Sequence, residues 1–246
     1  KNNAYKSRII NVDEDSVFTF IENHDCSLFD FYGGVLSLYL SRINRVGGCL
    51  LKTIIPSKKT YSGVFDKNAL LKIDVNKDDS FNNLLNEFHC EFINASNHAT
   101  VDVDKYLGEN VSYYSIYDFS NLNENISIYN GDDSALTLNI YENSLDLLYN
   151  SDLFSEEYVE RMAKNIESLI SNVLNSPNDA ISDIDILSED EKKLLLDFSE
   201  GIEDAVDEEF ILSKYFRHFA IDNPDIIAVD DGVNQISYGE LEKSSN

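Results

Sequence analysis

Residues 134–198 read SALTLNIYENSLDLLYNSDLFSEEYVERMAKNIESLISNVLNSPNDAISDIDILSEDEKKLLLDF. LTLNIYENSLDLLYN is two alternating apolar runs about a turn-forming ENS, the pattern of a β-hairpin. Ser155 then stands before EEYVERMAKNIESLISNVLN as an N-cap. There Val159, Met162, Ala163, Ile166, Leu169, Ile170 and Val173 recur at helical spacing, with two glutamates at the positive end of the dipole. SPNDAISDIDIL breaks that helix. Ser188 and Glu191 stand three apart, the signature of a capping box, ahead of a shorter amphipathic helix that closes near Gly201.

Further toward the N-terminus, residues 5–12 (YKSRIINV) predict a strand. EDSVFTFIENHD follows as a helix expected to turn Val17, Phe18 and Ile21 to the core. SLFDFYGGVLSLYLSRI keeps the helical period from Leu28 to Ile43, and its paired Gly33 and Gly34 predict a close approach to a neighbour, since each weakens a helix by about 1 kcal/mol relative to Ala. GGCLLKTIIP and NALLKIDV predict strands, and Ser80 caps a helix with Phe81, Leu84, Leu85, Phe88, Phe92 and Ala95 on one face. VSYYSIYDF and ISIYN add β character before the hairpin. Beyond it, IEDAVDEE is polar and uncapped and predicts a linker, and residues 210–246 predict helix, strand, short strand and a helix capped by Ser237 and Glu240.

The composition bounds the function. With 19 Lys plus Arg against 45 Asp plus Glu, the net charge of -26 repels nucleic acid phosphates and anionic lipid surfaces, so neither nucleic acid nor membrane is expected as a partner. The acidic residues are scattered, as on a solvated surface. No window approaches a membrane span or the apolar core of a signal peptide. Cys26, Cys49 and Cys90 are odd in number and share no ligand spacing, which argues against a disulfide framework or zinc site and for a reducing, cytoplasmic setting. The chain opens on Lys1 rather than Met, and a preceding segment is expected.

His24, His89, His98 and His218 are the candidate bases. None stands beside a nucleophile in a recognisable triad segment or at ligand spacing from another histidine, and Gly47-Gly48 starts neither phosphate-loop pattern. Composition and spacing alone therefore describe an acidic α/β domain followed by the start of another, with no self-contained active site and no metal site.

Residues 134–198 resemble the end of a condensation domain of nonribosomal peptide synthetases, in which a hairpin leads to a YNxDLF turn, a long helix, a Pro-containing stretch, I-x-D-I-x-L-L and an S-x-x-E helix. Tyr149, Asn150, Asp152, Leu153, Phe154, Ile181, Ile184, Leu187, Ser188 and Glu191 fall in register. SGVFDKNALLKI is similar to the family's IGxFVNTLxLR segment through Gly63 and Phe65, with Lys67 in place of the motif's asparagine and Lys72 in place of its arginine. HATVDVD resembles HQDVPFE through His98, Val101 and Asp104. The family's HHxxxDG motif, which supplies the histidine beside the attacking amine, occurs nowhere in the chain, and His24 in NHDCSLFD lacks its pattern. LSKYFRHFAIDNPDIIAVDDGVNQISYGELEKSSN resembles the opening of an adenylation domain through Phe216, Pro224, Asp225, Ala228, Val229, Tyr238, Glu240, Leu241 and Asn246.

The resemblance implies a chloramphenicol-acetyltransferase-like lobe, a mixed sheet packed with helices, as the C-terminal lobe of a condensation domain over 1–192. A linker over 193–209 and the beginning of an adenylation domain over 210–246 follow. It implies no catalytic residue here, with Gly63, Phe65, Lys67, Lys72 and His98 near the reaction channel. The implied partners are phosphopantetheine-bearing carrier proteins, the N-terminal condensation lobe or self-association in its place, and the remaining adenylation domain, which uses ATP and Mg. The alternative is a natural non-catalytic half domain acting as a structural adaptor.

Overall fold

The computed structural model describes residues 5–55, 67–98, 114–120, 134–201 and 212–245. It divides into two compact units, Lys1–Leu195 and Leu196–Asn246.

The first unit runs β1 (Tyr5–Ile10), α1 (Glu14–His24), α2 (Leu28–Asn44), β2 (Gly48–Ile55), β3 (Lys67–Asp74), α3 (Phe81–His98), β4 (Tyr114–Asp118), β5 (Leu136–Tyr141), β6 (Ser144–Asn150) and α4 (Glu156–Asn175). Its six strands form one sheet in the order β1-β6-β5-β4-β2-β3. β4 runs parallel to both β2 and β5, and the remaining pairs are antiparallel, so the sheet is mixed. The hairpin expected at ENS joins β5 to β6, with Tyr141 facing Ser144 across the turn.

One face of this sheet carries the helices. Leu51, Leu71, Ile116, Leu138 and Leu147, each with no exposed surface, form its apolar side. Against them lies α2, buried without interruption from Phe29 to Ser41. A helix apolar all round has to be covered all round. It packs on β2, β4 and β5 and is flanked by α3, which covers β3, and by α4, which covers β1. Gly33 makes the α2–α3 contact: a Cβ there would stand 2.1 Å from Cζ of Phe88. All seven residues expected on the apolar stripe of α4 are buried, and Ser155 accepts a hydrogen bond from the Tyr158 amide as its N-cap. Beyond packing, Arg8 clamps β1 to α4 through Glu160, with Nε 2.6 Å from Oε2 and Nη2 3.0 Å from Oε1.

Two local expectations are corrected. In α1 the buried residues are Val17 and Phe20, whereas Phe18 is 40% exposed. With Val17 facing inward, the residues three and four further on share its face and the next residue falls on the flank. At the head of α5 (Glu189–Ser199), Ser188 Oγ accepts from the Glu191 amide at 3.3 Å, but the return bond is missing. The buried Asn165 of α4 intervenes: its Oδ1 accepts from the Ser188 amide at 2.9 Å and its Nδ2 donates to Glu191. The expected ISIYN strand and the IEDAVDEE stretch lie outside the described residues, whereas residues 193–199 are helical.

The second unit holds α6 (Leu212–Asp222), β7 (Ile227–Asp230), β8 (Gln235–Ser237) and α7 (Tyr238–Ser245), with β7 and β8 paired antiparallel. The capping box at Ser237 is complete: Glu240 Oε2 accepts from the Ser237 amide at 3.0 Å and Ser237 Oγ accepts from the Glu240 amide at 3.3 Å. Tyr238 packs its ring on Phe216 and Phe219, with centroids 5.7 and 4.7 Å apart.

Candidate functional site

Side chains alternate along a strand, so the face turned away from the helices takes the other half of each strand. There the central strands carry Lys52, Ser115, Tyr117, Thr137 and Asn139, none more than 3% exposed. They are neighbours by register: Lys52 faces Ser115, Ser115 faces Thr137 and Tyr117 faces Asn139. Ser115 Oγ lies 2.6 Å from Ser134 Oγ. Lys52, Ser115 and Tyr117 are all engaged by further groups. Burying a lysine ammonium costs several kcal/mol unless it is paired, and the groups that engage Lys52 offset that cost. Donors and acceptors repeated at the strand spacing of about 4.8 Å suit the binding of amide and hydroxyl groups.

The residues expected near the channel are distributed as follows. Lys67 opens β3, opposite Ile55 at the end of β2. The short connection after β3 makes α3 run back along that strand, which returns His98, the last residue of α3, toward the same end of the sheet. His98 is exposed, with Nδ1 2.8 Å from the Asn94 carbonyl oxygen. Lys72 stands five residues further along β3, roughly 17 Å away at strand rise. It is exposed and paired with Asp74 at 3.0 Å. Gly63 and Phe65 lie outside the described residues, as do Val101 and Asp104. The fold thus brings Lys67 and His98 toward one end and sets Lys72 apart.

Sequence reasoning misses the polar row. Its signal is the polar position at every second residue in LTLN and YSIY, which by itself reads only as ordinary strand alternation. Elsewhere, the histidines have local roles. His24 and His218 place Nδ1 2.9 and 2.8 Å from the carbonyl four residues earlier. Nδ1 of His89 lies 3.2 Å from both carboxylate oxygens of the buried Asp30. Burial pushes the Cys26 and Cys49 thiols up to about 11, away from nucleophilic reactivity. Among the described residues no group of three His, Cys, Asp or Glu could hold a metal ion. No described helix is long and apolar enough to cross a membrane.

No family model matches the chain. A mycosubtilin synthase polypeptide of Bacillus subtilis is 26% identical over 193 residues, covering 74% of this chain and 7% of the relative. Bacitracin synthase 2 of Bacillus licheniformis is 31% identical over 116 residues, 46% of this chain and 4% of the relative. The chain therefore spans a few per cent of the length of these curated relatives. Among solved structures, the first condensation domain of the CDA synthetase superposes with a TM-score of 0.58 at 11% identity, covering 74% of this chain and 47% of that one. The X-domain from teicoplanin biosynthesis, solved in complex with OxyB, gives 0.64 at 15% identity over 76% and 49%. A four-domain nonribosomal peptide synthetase bound to AMP and glycine gives 0.68 at 15% identity, covering 97% of this chain and 21% of that chain. The mixed sheet with its helical face is the condensation-domain fold.

Proposed function

We propose a function that starts from family membership: the chain belongs to the nonribosomal peptide synthetases, and its first unit supplies the C-terminal lobe of a condensation domain. In this reading the helical face stabilises the lobe and the polar face of the sheet forms one wall of the channel in which an amine attacks a carrier-bound thioester. The polar row binds and positions. Proton transfer falls to the HHxxxDG histidine, which this chain does not contain. The second unit is the opening of an adenylation domain, whose ATP and Mg chemistry is carried by residues outside the matched tail. The observation that carries the reading is the pair of coverages: about half of a condensation domain matches three-quarters of this chain, and a multidomain synthetase matches both units together.

Incubated with donor and acceptor carrier proteins bearing aminoacyl-phosphopantetheine, the chain by itself is expected to yield no dipeptidyl thioester by mass spectrometry. Phosphopantetheine-loaded carrier protein is expected to shift the amide resonances of Lys52, Ser115 and Asn139. Dipeptide above background would refute the assignment of chemistry to another lobe, and unmoved resonances would refute the channel wall.

A second reading, a non-catalytic adaptor, is favoured by the equally good superposition on the X-domain. It predicts carrier-protein binding at an outer surface with the same three resonances unmoved. Self-association in place of an N-terminal lobe is expected to appear as a concentration-dependent mass in light scattering.

A further inference from the structure

The polar face of the sheet changes character along its strands. One row across it holds Lys52, Ser115 and Thr137, and the next holds Tyr117 beside Asn139, which in turn faces Asp146 of β6. Beyond that row the face turns aromatic. Phe119 follows directly on β4 and stays in the ladder, its amide donating to the Ile140 carbonyl at 2.7 Å, and Tyr141 closes β5. Each stands two residues beyond a member of the polar row, so strand alternation returns both to the same face.

The rings meet there. Phe119 stacks on Tyr141 with centroids 5.5 Å apart and planes 24° from parallel, and Tyr117 tilts against Phe119 at 6.1 Å and 51°. Tyr117 is buried and engaged by further groups, whereas Phe119 and Tyr141 are each half-buried and keep ring surface open to a ligand. The face is thus segregated into an end of lysine, hydroxyl and amide groups and an end of aromatic rings. The first suits amides and hydroxyls. The second suits another ring, because aromatic groups favour offset or edge-to-face contact at centroid separations of about 4.5–7 Å, and a further ring can join the pair without breaking it. Asp146 and Asp118, the carboxylates closest in register, already accept from the hydroxyls of Ser7 and Ser120. A neutral ring therefore matches this end better than a cation does.

We propose that Phe119 and Tyr141 form the side-chain subsite of the proposed channel and select an aminoacyl group with an aromatic side chain. Tyr117 is a positioning residue, which contacts Phe119 rather than the ligand. The inference rests on the channel-wall reading and adds to it what the wall discriminates. The amides of the pantetheine arm lie along the row from Lys52 to Asn139, and the aminoacyl ring lies against Phe119 and Tyr141.

The test is an amide-resonance titration of the full chain with four aminoacyl derivatives of aminopantetheine, in which nitrogen replaces the thioester sulfur and prevents hydrolysis. The acyl groups are phenylalanyl, cyclohexylalanyl, lysyl and alanyl. All four are expected to shift Lys52, Ser115 and Asn139, and the phenylalanyl derivative to shift Phe119 and Tyr141 as well. It is expected to bind about fivefold more tightly than the cyclohexylalanyl derivative, which matches its bulk without a π system. Tyr141→Leu and Phe119→Leu, each with unchanged circular dichroism, are expected to bring that ratio close to one. Equal binding of the two ring derivatives, tightest binding of the lysyl derivative, or a ratio unmoved by both substitutions overturns the subsite and leaves the channel wall standing. If no derivative moves Lys52, Ser115 or Asn139, the channel wall falls and the subsite falls with it.

Discussion

Gly33→Ala tests the α2–α3 contact most directly. An ideal Cβ on Gly33 would lie 2.1 Å from Cζ and 2.4 Å from both Cε atoms of Phe88, whose side chain has no exposed surface. Carbon atoms pack at about 3.5–4.0 Å, so the ring has to withdraw by roughly 1.5 Å. The ring cannot slide freely in the direction of Phe29, whose ring already meets it edge-on at 5.3 Å between centroids. Overpacking of this kind costs about 1–3 kcal/mol, and complete loss of a phenylalanine's packing, about 3–5 kcal/mol, sets the ceiling. Helix propensity returns about 1 kcal/mol, since alanine is the better helix former. A 2.1 Å approach places the packing loss between those two ranges, at about 2–4 kcal/mol, so the net expectation is destabilisation by about 1–3 kcal/mol, which in urea is a fall in midpoint of roughly 1 M. Gly34→Ala is the control. Its Cβ would meet Cδ2 of Leu85 at 2.8 Å, the far end of a flexible side chain, and Phe81 only at 3.3 Å. It should cost less than Gly33→Ala. The chain has no tryptophan, so far-ultraviolet circular dichroism and tyrosine emission are the probes. In a double-mutant cycle, Phe88→Ala and Gly33→Ala should together cost at least about 1 kcal/mol less than their sum. A neutral Gly33→Ala, or strictly additive losses, would refute the close approach.

Asn165→Ala removes both the acceptor for the Ser188 amide and the donor to Glu191, and is expected to cost about 2 kcal/mol and to speed hydrogen exchange at Ser188 and Glu191. Unchanged protection there would show that Asn165 does not hold α5. Glu160 is held below the ordinary carboxylate value of 4.5 by its bond to Arg8, and Asp185 below 3.8 by Lys192. Both depressed groups contribute stability that is fully present above the unfolded value and is lost as pH falls through the lower folded value. The urea midpoint should therefore drop below about pH 4.5, and Glu160→Gln should flatten that drop; an identical slope in the variant would exclude the Arg8 pair as a cause. With Ellman's reagent, Cys90 is exposed and should react first, while the half-buried Cys26 and Cys49, pushed up to about 11 by burial, should react more slowly. Three equally fast thiols in the folded chain would contradict the half-buried placement of those two.

The elements legible in the sequence are those whose pattern repeats often enough to leave one solution. α4 shows seven apolar residues at helical spacing over 20 positions, and all seven are buried. α2 and the β5–β6 hairpin are legible for the same reason. Short or mixed patterns are not. VFTFI contains three large apolar residues besides Val17 within five positions, and only the tertiary neighbours, with the rings of Phe31 in α2 and Phe81 in α3 at 5.3 and 6.4 Å from that of Phe20, decide that Phe20 rather than Phe18 is covered. The Ser188–Glu191 box is half realised, because local spacing cannot show that Asn165, far away in sequence, enters between the two residues. The polar row is invisible to local pattern for a related reason: Lys52, Ser115 and Thr137 become neighbours only through the strand order β2-β4-β5. Of the motif positions carried over by resemblance, Lys67 and His98 approach one end of the sheet, Lys72 is paired with Asp74, and Gly63 and Phe65 fall outside the described residues.

The sheet divides the labour between its faces, and that division bears on function. On the helical side the central positions are mainly aliphatic, Leu51, Ile116, Leu136 and Leu138, and each fully buried Leu or Ile contributes roughly 1.5–3 kcal/mol. Stability requires nothing more exotic there. On the other side the same strands bury an ammonium, hydroxyls and an amide, groups that cost free energy to desolvate and return it only through partners of matching geometry. A stability optimum would have replaced them with valine and isoleucine, as occurs in strands covered on both faces by apolar layers. Their presence there is what motivates the proposed channel wall. Since Lys52 and Asn139 sit on strands fixed by the helical core behind them, these polar groups are held on rigid elements rather than loops, which is what the proposed channel wall requires.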